Sequence, residues 1–105
     1  MQSVVHIESS SDLVSVFNSN SGVIIDVRTS DDYSLGHIRN AINLDLMSTD
    51  FADFFADLNR NTELFVYCMD GIRSKVAVSI LNEMGFKYIV ILTNGIETWD
   101  GTLLS

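Results

Sequence analysis

A chain of 105 residues with 47% hydrophobic side chains can bury a core, so residues 1–105 are expected to form a single domain and not a disordered segment. A net charge of −8, from 14 acidic against 6 basic side chains, opposes binding to nucleic acid or to an anionic membrane, since both need clustered Lys and Arg. A single cysteine rules out an internal disulfide, no Cys/His group has metal-ligand spacing, and no segment reads as a membrane span or a signal peptide, so no cofactor or metal is implied and a cytoplasmic, reducing setting is expected.

Residues 4–7 (VVHI) predict a short strand. The stretch SSSDLVSVFNS then predicts a helix, with Ser10 or Ser11 as N-cap and Leu13, Val14 and Phe17 at helical spacing. Residues 22–27 (GVIIDV) are a continuous apolar run closed by Asp26, the pattern of a strand buried on both faces. TSDDYSLG predicts one helical turn, capped by Thr29 or Ser30 and stopped by Gly36. AINLD (41–45) predicts a strand. STDFADFFADLNR predicts an amphipathic helix with Phe51, Phe54, Phe55 and Leu58 on one face and Asp50, Asp53 and Asp57 on another. ELFVY (63–67) is a further buried strand. SKVAVSILNEMG (74–85) predicts a helix with Val76, Ile80, Leu81 and Met84 at helical spacing and Gly85 as the stop. YIVILT (88–93) is the last strand, and GIETWDG a short final helix.

Strands and helices alternate, which implies an α/β fold: right-handed crossovers and a mainly parallel sheet with helices on both faces. Ligands in such folds gather outside the carboxyl ends of the strands. Three such ends carry polar or reactive groups: Asp26-Val27-Arg28, Cys68 and Thr93-Asn94-Gly95. After Cys68 the chain runs Met69, Asp70, Gly71, Ile72, Arg73, Ser74 and enters a helix. A tight strand-to-helix loop turns backbone N–H groups inward at the positive end of the helix, and Gly71 permits the backbone angle this needs. The product is a cradle for an anion, and a thiolate held in it is nucleophilic.

The residues leave plainer readings open. Cys68 alone also suits an inert buried thiol. Arg73 could be a plain surface residue, contact an anion or brace the loop through an ion pair. Asp26 and Arg28 could touch substrate or brace neighbouring loops. His37 could carry a proton, bind a metal or fix a turn, and Trp99 with Ile96 reads as a core plug. The acidic helix from Ser48 to Asn59 reads as a solvated face, with docking of a basic partner as the alternative.

Three blocks resemble the rhodanese (sulfurtransferase) family. IIDVRTSDDYSLGHIRNAINLDL resembles its D-V-R…E-Y…G-H-I…G-A-I-N stretch, YCMDGIRS its C-x-x-G-x-R-[SA] loop, and TNGIETW its G-G-x-x-x-W element; together they span residues 24–99. The resemblance implies a rhodanese-like, five-stranded sheet in the order 1-5-4-2-3. It implies Cys68 as the nucleophile, which takes a sulfur from a small donor anion such as thiosulfate, becomes a persulfide, and passes the sulfur to cyanide in assays or to a thiol or protein cysteine in cells. The residues expected to hold that sulfur are the amides of Met69, Asp70, Gly71, Ile72 and Arg73, with Asp26, Arg28 and Ser74 in support.

Four residues separate Cys68 from Arg73, where phosphatases of similar fold have five; the shorter ring fits a sulfur atom better than a phosphoryl group. Arsenate reductases that work through an internal disulfide need a second cysteine, which this chain lacks. The departures concern the donor. Met69 stands where many thiosulfate-using members carry a basic residue, and the Asp70 carboxylate after it should repel thiosulfate. They motivate the alternative of a non-catalytic binding or sensing module. Asp32 stands for the family's Glu, and Asn40 and Asn94 stand for glycines, as residues that tolerate left-handed backbone angles.

Overall fold

The computed structural model describes residues 3–17 and 21–105. Asn18 and Ser19, at the end of the first predicted helix, lie outside the described residues, as does the side chain of Val14.

Five strands form one fully parallel sheet: β1 (Ser3–Ile7), β2 (Val23–Asp26), β4 (Ile42–Asn43), β5 (Glu63–Tyr67) and β6 (Tyr88–Leu92). Their spatial order is β1-β6-β5-β2-β4, which is 1-5-4-2-3 in the sheet's own count. Two further strands, β3 (His37–Ile38) and β7 (Leu103–Leu104), pair antiparallel in a separate ribbon that the sequence pattern does not signal. In the central pair Val23 faces Leu64 and Asp26 faces Tyr67, so both strands end level and their exits, Arg28 and Cys68, emerge side by side.

The period-2 alternation of β5 divides the core. Leu64, Val66 and Cys68 face the layer of α3 (Phe51–Ala56) and α4 (Ile72–Glu83), against Phe51, Phe55, Ala77 and Leu81. Phe65 and Tyr67 face the opposite layer, with Phe17, Ile38, Leu92 and Ile96. Each fully buried side chain contributes about 1.5–3 kcal/mol from removal of apolar surface from water.

The helices depart from the spacing in instructive ways. The N-cap of α1 (Ser10–Val16) is Ser9, one residue earlier than expected, its Oγ accepting from Asp12 N–H at 3.4 Å. Phe51 and Phe55 of α3 are buried as expected, but Phe54 is 39% exposed and meets Phe55 by its edge. Helix α4 starts at Ile72, two residues before the predicted start, because Gly71 in the left-handed region (φ 94°) turns the chain directly into it. Its buried face is Ser74, Ala77, Val78 and Leu81, while Val76 is 52% exposed; small residues let the helix lie close on the sheet. The predicted stop holds. Gly85 N–H bonds to Asn82 O and Phe86 N–H to Leu81 O, a Schellman arrangement with Gly85 at φ 99°. The predicted final helix is a single 3-10 turn, Ile96–Thr98.

Arg60 joins the two helices of one layer. Its guanidinium donates to the carbonyls of Phe55, Ala56 and Leu58 at the end of α3 and of Met84 at the end of α4, and lies 4.8 Å from the centre of the Phe86 ring. It thus satisfies carbonyls that helix ends leave without partners.

Candidate active site

Cys68 is the first residue past β5 and is 1% exposed. Its Sγ accepts from the Gly71 N–H at 3.1 Å and the Ser74 N–H at 3.3 Å. The thiol donates to Ser74 Oγ at 3.4 Å, and that hydroxyl donates onward to Gly71 O at 3.1 Å. The sulfur therefore sits against converging main-chain N–H groups at the start of α4, and not in hydrocarbon alone.

Of residues 69–73, only Gly71 donates to Sγ, and Ser74 supplies the second N–H. The Ile72 N–H is taken by the Asp70 carboxylate, at 3.1 Å from Oδ1. Among the described residues, the N–H groups of Met69 and Asp70 have no protein acceptor.

The loop backbone is fixed from outside. Ile96 N–H donates to Cys68 O at 2.8 Å and Glu97 N–H to Met69 O at 3.2 Å, so the exit of β6 holds two loop carbonyls outward. Gly95 makes this turn with φ 75°, and a Cβ there would overlap the Met69 carbonyl. Asn94 does not take the left-handed angle expected of it; among the described non-glycine residues only Asn40 does, at φ 69°.

A cavity of about 310 Å³ opens on Cys68. Met69, Asp70, Ile72 and Arg73 of the Cys68 loop line it, together with Arg28, Thr29 and Asp32 from the β2 exit. Thr29 and Asp32 do not stand out as site residues in the sequence. Their signal was only that they follow the β2 exit: Asp32 lies in α2 (Ser30–Leu35), which Thr29 caps by accepting from Asp32 N–H at 3.3 Å.

Asp26 is fully buried and does not line the cavity. It holds Arg28: Nε lies 3.0 and 3.1 Å from its two oxygens and Nη2 2.7 Å from Oδ2, and the Arg28 N–H donates to Oδ1 at 2.9 Å. Nη2 also donates to Gly36 O, and Asn43 Nδ2 donates to the carbonyls of Asp26 and Arg28. Burial works against the Arg28 charge, but the Asp26 carboxylate more than offsets it and the guanidinium is held above its ordinary range. Tyr67 is pushed up as well, by burial first and then by the Asp26 charge, and its hydroxyl accepts from Ile38 N–H at 3.0 Å. The pair braces the β2 exit.

Arg73 lies exposed on the rim, and among the described residues it forms no ion pair, so it does not brace the loop. His37 stacks on Tyr33 at 3.8 Å and its Nδ1 pairs with Tyr33 O, fixing the turn after α2. Ile96 is buried, and Trp99 packs 6.1 Å from Phe65 in the same cluster.

The model of the rhodanese-like domain matches residues 9–102. The chain belongs to the rhodanese-like domain family. Among curated relatives, a thiosulfate sulfurtransferase GlpE of Coxiella burnetii (strain RSA 331 / Henzerling II) is 36% identical over 73% of this chain and 70% of its own length. One of Shewanella oneidensis is 32% identical over 94% of this chain and 95% of its own. Among solved structures, a rhodanese-related protein of Thermoplasma volcanium superposes with a TM-score of 0.77 at 27% identity, covering 95% of this chain and 97% of that one. The rhodanese-like chain thus resembles an enzyme of the thiosulfate sulfurtransferase type, and no described helix is long and apolar enough to cross a membrane.

Proposed function

We propose that the protein is a sulfurtransferase that carries sulfur as a persulfide on Cys68. The Cys68 thiolate attacks the outer sulfur of a donor such as thiosulfate; the S–S bond to the sulfonate breaks, and sulfite leaves with its electron pair. The Cys68 persulfide then yields its outer sulfur to a thiophilic acceptor, cyanide in an assay or the thiolate of a small molecule or protein cysteine, and the Cys68 thiolate returns. Gly71 and Ser74 N–H groups stabilise the sulfur, while the free Met69 and Asp70 amides and Arg73 receive the added atom and the donor's charge. The observation that carries this reading is the pair of N–H donors on Sγ at 3.1 and 3.3 Å. The relatives' names support the reaction type, and a reducing compartment suits a lone free thiol.

Intact-mass measurement after incubation with thiosulfate tests it. One added sulfur is expected on the wild-type chain and none on Cys68→Ser. Failure of thiosulfate and of organic persulfides alike to add sulfur would overturn the reading.

One observation favours a second reading, a module that binds an anion or sulfur without turnover: the Asp70 carboxylate removes the Ile72 N–H from the cradle. Cyanolysis separates the two, since repeated turnover excludes the binding module.

A further inference from the structure

The cavity on Cys68 carries an unusual charge balance. Arg28 lines it, but its guanidinium is committed to Asp26 and Gly36 O. The remaining charged groups on its walls are two carboxylates, Asp32 and Asp70, and one guanidinium, Arg73. They come from two different elements, Asp32 from α2 and Asp70 from the Cys68 loop, so a donor in the cavity shares it with two acids. A dianion such as thiosulfate meets repulsion from both, relieved by Arg73 and by the free Met69 and Asp70 amides. The Asp70 carboxylate adds a second handicap, because the amide it accepts from would otherwise face an anionic donor. A volume of about 310 Å³ also lies in the range that takes small organic ligands and exceeds the need of an inorganic ion.

We infer that Asp32 and Asp70 act as a charge filter at the cavity, favouring sulfane-sulfur donors that carry a cation beside the sulfur over the inorganic dianion. An amino-acid persulfide has this chemistry: its ammonium meets the two carboxylates and its carboxylate meets Arg73. The transfer balances as before: the Cys68 thiolate attacks the outer sulfur of R–S–SH, the S–S bond breaks, R–S⁻ leaves with its electron pair and takes the proton as the thiol R–SH, and Cys68 keeps the outer sulfur as a persulfide anion. The inference rests on the Cys68 sulfur-transfer reading and concerns its donor alone.

Single-turnover loading of Cys68, followed by mass, should be compared for cysteine persulfide, N-acetylcysteine persulfide and thiosulfate. The first two differ only at the amine. In the wild type the ammonium-bearing donor should load faster than its acetylated form, and rising salt should narrow that ratio. Asp32→Asn and Asp70→Asn should each reduce the ratio about threefold, the scale of one partly exposed ion pair, and should speed loading by thiosulfate. Asn at position 70 can still accept the Ile72 N–H, so the loop keeps its shape while losing the charge. Equal rates for the two persulfides, a ratio that ignores salt, or slower thiosulfate loading in both variants would overturn the filter. No loading by any donor would instead overturn the sulfur-transfer reading itself.

Discussion

Gly71→Ala is expected to lose Cys68 loading by about 100-fold or more, with a clear loss of stability. Two separate effects act at this residue. A φ of 94° costs a residue with a side chain about 1–3 kcal/mol. The added Cβ would also overlap the Thr93 carbonyl oxygen, which is backbone at the end of β6 and cannot swing aside. The loop must move to relieve this, and the Gly71 N–H moves with it off the sulfur. Loss of one oriented N–H donor at a reacting centre costs about 100-fold in rate. Gly36→Ala is the matched control, because there the nearest atom to an added Cβ is Leu103 Cδ1 at 3.6 Å, an ordinary contact. Loading rates by mass and thermal melts of the two variants provide the comparison. Wild-type loading in Gly71→Ala would show that the amide cradle does not govern reactivity.

Asp26→Ala is expected to destabilise the fold by about 3–5 kcal/mol, because it leaves the Arg28 guanidinium buried without its counter-charge. That is a large share of the roughly 5–15 kcal/mol that stabilises a domain of this kind. Denaturant titration should show the midpoint falling with little change in slope. The double variant Asp26→Leu with Arg28→Met should recover most of the loss, because the uncompensated charge is the cause. Arg28 is held above its ordinary pKa, so its contribution is fully present below the unfolded value and fades only as pH rises through the folded one. The effect of Asp26→Ala should therefore be the same at pH 6 and pH 8. A penalty that disappears within that range would contradict the assignment.

The alternation of apolar runs with helical spacing made the layered α/β fold legible, while the strand order came from the family resemblance, since alternation alone does not choose an order. The strand-end placement of Cys68 before a glycine and a helix was legible, but the residues alone left an inert thiol open, and the family resemblance supplied the nucleophile reading. Other features depend on three-dimensional details that residue spacing does not carry. The buried face of α4 was legible in part: Leu81 is buried and Ile80 and Met84 pack against the core as their spacing suggests, but Val76 is exposed, and the buried Ser74 and Ala77 are too small or polar to mark a face by pattern. Asp70 reads as a repelling charge, but its acceptance of the Ile72 N–H depends on a rotamer. Thr29 and Asp32 reach the cavity across space from a neighbouring strand exit. The ribbon of β3 and β7 is too short to register as a pattern.

The bonds from Ile96 and Glu97 to the carbonyls of Cys68 and Met69 have a practical consequence for redesign. Because a distant stretch of backbone sets the polarity of the ring, the exposed side chains of Met69 and Ile72 can be varied while the carbonyls of Cys68 and Met69 stay held, and position 70 can change wherever it keeps an acceptor for the Ile72 N–H. Chemistry and selectivity are thereby separable on this scaffold: one is held by main chain, and the other is written on interchangeable surface.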